Sequence, residues 1–252
     1  MTFYWNEKTW AEVQQQKPDV VLLPVGSVEA HGPHLPLSTD SIISDEVARR
    51  AAAQLQEHGI QALILPPLHY VVTDFSKDFP GTISISKESF QAILRDIAGA
   101  LQQQGINTFC IVNSHLEPAH IQAIDEFCNH DHGMKILFPD KTKKPWALQL
   151  TEEFKKGACH AGSYETSLVL ASRPELVKEE RKQLKPLQVN LAVLMKQGVR
   201  GFREAGATEA YFGDPAAATQ QEGEMIYSIL TRMVVEAVLK KQKTSHLSKK
   251  LE

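Results

Sequence analysis

Four residues with ionisable or metal-binding side chains lie close together in the stretch GSVEAHGPHLPLSTD, residues 26–40. They are Glu29, His31, His34 and Asp40. Glu29 and His31 are two residues apart, so in an extended chain their side chains point to the same side. A carboxylate and an imidazole that face one pocket are suitable ligands for Zn²⁺, Mn²⁺ or Fe²⁺. The stretch therefore predicts part of a metal site; the alternative is a polar surface loop in which Asp40 caps the following helix.

A second group of the same kind follows at residues 113–120, NSHLEPAH. His115 and Glu117 repeat the two-residue spacing of a basic and an acidic ligand. His120 falls inside the next predicted helix, where a solvated or core-facing histidine is the simpler interpretation. Two similar clusters, each after a predicted strand, favour one shared metal site.

A third group lies in GACHAGSYETSLVL, residues 157–170, where His160 and Glu165 are the candidate functional residues. Cys159 stands next to a histidine, so a cysteine nucleophile is an alternative. The small neighbouring residues and the carboxylates elsewhere favour metal chemistry. We therefore interpret Cys159 as a buried structural thiol.

These groups need a scaffold that brings their loops together. Short apolar runs typical of buried strands alternate with amphipathic helical patterns, one over about 41–58 and the clearest between Ser86 and Gly105. Residues 69–84 fit neither pattern and predict a long loop, a type of segment that is often functional. The alternation predicts a parallel sheet covered by helices on both faces, with sites beyond the carboxyl ends of its strands. The predicted strands cover 19–26, 61–66, 107–113 and 134–139.

The composition is that of an ordinary globular protein. Of the 252 residues, 42% are apolar and 23% charged, which excludes collagen-like, coiled-coil and wholly disordered chains. The length fits one large domain or two small ones, and no segment has the composition of a linker. We expect a single catalytic domain over residues 1–243 and a frayed or disordered tail over 244–252.

Charge, hydropathy and cysteine content limit the partners and the compartment. The net charge is −3 and no basic stripe is present, which argues against nucleic acid as a partner. No apolar stretch reaches the roughly 18 residues of a membrane span, and no signal peptide is visible. The three cysteines are odd in number and widely spaced, which is typical of thiols in a reducing compartment. The expectation is a cytoplasmic protein without a membrane partner.

Taken in order, these motifs resemble those of the creatininase (creatinine amidohydrolase) family. Residues 29–40 match the pattern E-x-H-G-x-H-L-P-L-x-T-D, the most specific part of the resemblance. Four further segments are similar to family motifs and extend the match over most of the chain. They are PGT at 80–82, NSHLE at 113–117, HAGSYETS at 160–167 and GDPAAA at 213–218.

The resemblance implies a three-layer α/β/α fold with a central, mainly parallel sheet. It also implies an amidohydrolase with two divalent metal ions per subunit, Zn²⁺, Mn²⁺ or Fe²⁺, in a homo-oligomer that is often a hexamer. Five metal ligands follow from it. Glu29 and His115 would bind one ion, His31 and Glu117 the other, and Asp40 would bridge the two.

The same resemblance implies two catalytic residues and leaves the substrate open. His160 would move protons at the substrate, and Glu165 would be a ligand or would orient one. The chain departs from the family pattern at Ser114, where many members have glycine, and at Lys155 and Lys156, near which creatininase has a tryptophan. A small-molecule cyclic amide, a formamide on a heterocycle and a peptide amide all remain candidate substrates.

Two other functions are alternatives to amide hydrolysis. A metal-dependent phosphoesterase would need a basic cluster for phosphate, and the sequence has none near the motifs. A metal- or ligand-binding scaffold that has lost catalysis is the other alternative, because the residues around His115 differ from the usual family pattern.

Overall fold

The computed structural model describes residues 2–157 and 159–248. Its sheet has four parallel strands in the order β2–β1–β3–β4. Val25 at the end of β1 pairs with Asn113 at the end of β3, so the segments that follow these two strands leave the same edge of the sheet. The parallel sheet predicted from the sequence is thus confirmed. The strands are β1 Val20–Val25, β2 Ala62–Ile64, β3 Thr108–Asn113 and β4 Lys135–Leu137.

Helices cover both faces of this sheet. Every residue of β1 is buried, and successive side chains of a strand point to opposite faces. Val20 and Leu22 belong to one apolar core, together with side chains of the helices over residues 39–57, 163–172 and 220–248. Val21 and Leu23 belong to a second core, together with side chains of the helices over residues 87–103 and 118–128. This alternation is the three-layer α/β/α arrangement.

The helices have the following bounds. They are α1 Trp10–Gln16, α2 Thr39–Glu57, α3 Lys87–Gln103, α4 Pro118–Cys128, α5 Glu152–Lys156, α6 Ser163–Ser172, α7 Leu191–Lys196 and α8 Gln220–Ser248. Short 3₁₀ turns cover Trp5–Glu7, Ala147–Gln149, Pro174–Leu176, Glu179–Gln183 and Pro215–Ala217. In the described part of the chain, no helix has both the length and the apolar character needed to cross a membrane.

The observed bounds differ from the predicted ones mainly at strand ends, since the strands are shorter than the apolar runs. Segment 69–84 contains no helix or strand, as predicted. Part of the predicted tail, up to Ser248, belongs to α8, while residues 249–252 lie outside the described residues.

Candidate metal centre

The carboxylate of Asp40 lies where the end of β1 meets the start of α2. The helix begins at Thr39 with Ser38 at the N-cap, so Asp40 belongs to the first turn and the interpretation of Asp40 as the cap is wrong. Gly26 makes this close approach possible, because a Cβ there would lie 2.3 Å from the backbone nitrogen of Ser41. The helix dipole favours a carboxylate in the first turn. Asp40 is therefore a buried anion, 1% exposed, fixed by the backbone around it.

The two oxygens of Asp40 face two different histidines. Oδ2 lies 2.9 Å from Nδ1 of His115, and Oδ1 lies 3.6 Å from Nε2 of His31. The other nitrogen of each ring donates to a backbone carbonyl, Nε2 of His115 to Val72 at 3.0 Å and Nδ1 of His31 to Glu29 at 3.1 Å. In the neutral rings, the nitrogens that face Asp40 therefore carry lone pairs. Nε2 of His31 is buried and has no hydrogen-bond partner among the described residues.

A carboxylate oxygen and an unprotonated ring nitrogen are both acceptors and repel each other. A proton or a cation between them is needed to hold them this close. Burial alone would lower the pKa of His31, but Asp40, with Glu165 and Glu29, raises it to about 10. Burial likewise opposes protonation of His115, yet Glu29 and Asp40 hold its pKa well above the ordinary value. Without metal, protons supply this charge. A bound cation would replace them, because metal binding releases protons from its ligands.

Glu29 is oriented by the long loop over residues 69–84. Its Oε2 accepts hydrogen bonds from the hydroxyls of Thr73 and Ser76. Its Oε1 remains directed at the centre, 3.0 Å from Nδ1 of His115. Two fixed hydroxyls thus leave one oxygen of Glu29 for a cation, the kind of outer-shell support that metal ligands usually have.

The remaining two carboxylates lie beside different histidines of the centre. Glu165, in the first turn of α6, accepts a hydrogen bond from the Ala161 amide at 2.7 Å and has Oε2 3.5 Å from Nε2 of His31. Burial, followed by the charge of His31 in the opposite direction, leaves its pKa raised to about 7. Glu117 accepts from the Phe75 amide at 3.1 Å and lies 4.0 Å from His115.

Two groups of potential ligands share Asp40, and each group has its ligand atoms within 4.8 Å of one another. Glu165, and not Glu117, occupies the position beside His31. The pairing of His31 with Glu117 at one ion stays a prediction; Glu117 lies at the N-cap of α4 and accepts from the Phe75 amide. The groups are Glu29, Asp40 and His115, and His31, Asp40 and Glu165.

His160 lies between the centre and an aromatic side chain. Its ring centroid is 4.4 Å from that of His31 and 4.2 Å from that of Phe202. Nε2 donates to the carbonyl of Ala30 at 3.0 Å, which leaves the lone pair of the neutral ring on Nδ1. Burial first, and the charge of His31 second, lower the pKa of His160 to about 4. A neutral imidazole next to the ligands can accept and return a proton.

Three other residues singled out from the sequence lie outside the two ligand groups centred on Asp40. His34 is buried and hydrogen-bonds Thr166 at 2.9 Å, which ties its loop to α6. His120 is core-facing, as expected, and packs on the ring of His115 with centroids 5.0 Å apart. Cys159 is partly buried and lines the cavity, so the prediction of a buried structural thiol is wrong in part; burial still raises the pKa of the thiol and makes it a poor nucleophile.

Sequence reasoning missed several residues around the centre. Thr73 and Ser76, which hold Glu29, are ordinary hydroxyl residues in a loop and carry no distinguishing spacing. Lys141 is only 3% exposed and donates to the carbonyl of Ser114 at 3.2 Å, next to a predicted ligand. It stands in the basic run KTKK at 141–144, which resembles a solvated surface segment.

A cavity of about 520 Å³ opens over the centre. On one side it is bounded by four of the five candidate ligands, all except His31, and by Glu117 and His160. The remaining wall comes from the 69–84 loop, the start of α4, a 3₁₀ turn, α5, α7 and two phenylalanines. Its side chains outside the centre include Phe75, Leu116, Pro118, Thr142, Ala147, Leu148, Phe154, Lys155, Cys159, Leu191, Met195, Phe202 and Phe212.

Comparisons with known proteins agree with this fold. The family model for creatininase, described as creatinine amidohydrolase, matches residues 6–238. A mycofactocin precursor peptide peptidase from Mycobacterium ulcerans (strain Agy99) is 30% identical over 215 residues, 82% of this chain and 80% of that protein. A creatinine amidohydrolase from Pseudomonas putida is 29% identical over 199 residues, 70% of this chain and 74% of that protein. A solved creatinine amidohydrolase (creatininase) structure superposes with a TM-score of 0.73 at 25% identity, covering 95% of this chain and 98% of that one.

Proposed function

The chain belongs to the creatininase family, and on that premise we propose that it hydrolyses a C–N amide bond of a small molecule at a dinuclear metal site. The position of Asp40 carries the proposal, since one of its oxygens faces His31 and the other faces His115. A carboxylate between two histidines, each presenting a lone pair, matches a bridging ligand. Zn²⁺, Mn²⁺ and Fe²⁺ accept this mixture of nitrogen and oxygen ligands.

Five side chains would hold the two ions. Three carboxylates nearly offset the charge of two divalent cations, and the buried Nε2 of His31 would gain the partner that it lacks. When bound, the ions lower the pKa of a water from 15.7 toward about 7 and polarise the amide carbonyl. One ion would be held by Glu29, His115 and Asp40, and the other by His31, Glu165 and Asp40.

His160 and Glu117 would handle the protons. His160 is neutral at rest and stacks on His31, so its Nδ1 can accept a proton and deliver it to the leaving nitrogen. Such transfers typically contribute about 10²–10⁴-fold to the rate. Glu117 lines the cavity beside His115 and would orient the attacking water. Burial raises the pKa of Glu117, which makes it a better proton acceptor.

The two alternative functions receive less support. Lys155 is the one basic side chain other than histidine among the described residues that line the cavity, and it pairs with Glu152 at 2.8 Å. Apart from the proposed metal ions, a phosphate group would therefore find no free basic side chain among these residues. A metal-binding scaffold that had lost catalysis would need the ligand set around Asp40, but not the neutral imidazole of His160 beside it. The cytoplasmic location and the hexameric assembly remain predictions.

Removal of metal is expected to abolish hydrolysis and to lower the melting temperature by at least about 5 °C. At a hundredfold excess over its Kd, each ion stabilises the fold by about 2.7 kcal/mol. For a chain of this size, 1 kcal/mol corresponds to about 2–4 °C. The measurement is a thermal melt and an amide-hydrolysis assay before chelation, after it, and after addition of Zn²⁺ or Mn²⁺. An unchanged melting temperature, with no metal before or after chelation, would contradict the proposal.

Substitution of Glu165 and of Glu117 is expected to separate the roles of these two carboxylates. Glu165→Gln should reduce the bound metal from two ions to one per chain, because Glu165 faces His31. Glu117→Gln should keep both ions and lower kcat by roughly 10²-fold or more, within the range of general base catalysis. Elemental analysis and steady-state kinetics on both variants provide the comparison. The opposite pattern of metal loss would restore the pairing of His31 with Glu117.

A further inference from the structure

Resting on the proposed function, we infer that the substrate carries a bulky, uncharged apolar group, aromatic or branched aliphatic, beside the amide that is cleaved. The inference comes from the wall of the cavity over the metal centre. Most ligand pockets have volumes of about 300–1,000 Å³ and bind their ligand mainly through apolar side chains. At about 520 Å³, this cavity has room for a much larger group than a bare amide.

An aromatic surface forms the part of the wall nearest to the catalytic groups. The ring of Phe202, which is 5% exposed, lies 5.9 Å from the partly exposed ring of Phe75, and the fully buried ring of Phe212 packs against it at 5.5 Å. The same ring stacks on His160 at 4.2 Å. A substrate whose leaving nitrogen is near His160 would therefore have this surface next to it. Edge-to-face and offset contacts favour an aromatic or aliphatic group there.

A second apolar surface faces the cavity from α5, α7 and the 3₁₀ turn at Ala147–Gln149. Leu191 and Met195 contribute from α7, and Phe154 from α5. Leu148 of the turn lines the cavity yet is 58% exposed, so a substrate can still cover its apolar area. Met195 is unbranched and adapts to differently shaped groups.

The charges of the wall exclude a charged substituent. Outside the metal centre and its acids, Lys155 is the one charged residue among the described lining residues, and Glu152 already pairs with it. A carboxylate or ammonium group on the substrate would lose its hydration without gaining a partner. The apolar lining and the lack of a free charged partner in the wall therefore both favour a substrate with an uncharged apolar group.

Two matched series of amides test this inference on the metal-loaded protein. One is cyclic and contains hydantoin, its benzyl derivative and its carboxymethyl derivative. The other is linear and contains the N-acetyl amides of glycine, phenylalanine and aspartate. We expect the benzyl compound of at least one series to exceed its unsubstituted parent in kcat/KM by about 10-fold or more, and the carboxymethyl compound to fall below the parent, since each buried apolar group is worth about 10–200-fold.

Binding is measured in parallel by calorimetry, so that a compound that is not cleaved still reports on the pocket. The benzyl compounds should bind at least about 10-fold more tightly than the carboxymethyl compounds. Equal binding, or tighter binding of the carboxymethyl compounds, would overturn the inference and leave the proposed function standing. A protein that holds no metal and cleaves no amide, yet binds in the expected order, would refute the proposed function alone.

Two substitutions on α7 locate the selectivity. Met195→Asp places a charge in the apolar wall and should reduce the benzyl-over-carboxymethyl preference by about 10-fold or more. Val193→Asp is the matched control, because Val193 belongs to the same helix, is 46% exposed and does not line the cavity. It should leave the preference within about twofold. Equal effects of the two variants would mean that this wall does not set the preference.

Discussion

Asp40→Asn is expected to lower amide hydrolysis by at least about 10³-fold and to remove both metal ions. Loss of an outer-shell partner typically costs 10–100-fold, whereas Asp40 touches both groups of ligands. Asparagine preserves the shape of the side chain but loses the charge and replaces one oxygen by an NH₂ group, which cannot bind a cation. The measurement is kcat/KM together with metal content by elemental analysis.

Asp45→Asn is the matched control for this substitution. Asp45 lies on the same helix and is partly buried, but its carboxylate accepts a hydrogen bond from Tyr4 at 2.9 Å, outside the centre. The control should retain both ions and nearly full activity. If Asp40→Asn kept two ions and wild-type turnover, Asp40 would not be a bridging ligand.

His160→Gln is expected to reduce kcat by about 10²–10⁴-fold while both metal ions remain bound. Glutamine can still donate to the carbonyl of Ala30, but its amide does not exchange a proton near neutral pH. His160 belongs to neither ligand group centred on Asp40, although one of its ring nitrogens lies within 4.8 Å of ligand atoms of Glu29 and His31. The loss should therefore lie mainly in kcat, with KM changed little, and steady-state kinetics with metal analysis measures both.

His132→Gln is the matched control, because His132 makes the same kinds of contact as His160 but lies away from the centre. Nε2 of His132 donates to the carbonyl of Phe127 at 2.7 Å, and its ring stacks on Phe127 at 4.2 Å. Its activity should stay near that of the wild type. A His160→Gln enzyme that lost a metal ion along with its activity would assign His160 to metal binding instead of proton transfer.

The sequence predicts the sheet, and the edge at which the motifs after β1 and β3 meet, because both depend on local patterns. β1 is one uninterrupted apolar run, and the motif after it contains Glu29, His31 and Asp40. Since β1 and β3 are parallel neighbours, the motif after β3 had to lie at the same edge of the sheet. His115 accordingly lies beside Asp40, although they are 75 residues apart in sequence.

The contact between His31 and Glu165 was not predictable in the same way. Glu117 repeats the two-residue spacing, while Glu165 comes from α6, a helix without a distinctive position in the sequence pattern. The orientation of Glu117 depends on the Phe75 amide, a contact across 42 residues that spacing cannot predict. The hydroxyls that hold Glu29 were missed for the same reason, because a tertiary contact selects them.

The most direct test of the dinuclear site is anomalous X-ray scattering from crystals of the metal-loaded protein, recorded at the absorption edge of the bound metal. We predict two peaks per chain, one between Glu29 and His115 and the other between His31 and Glu165, with Asp40 in contact with both. A single peak, or peaks that do not contact Asp40, in protein that is fully loaded by elemental analysis would contradict the account.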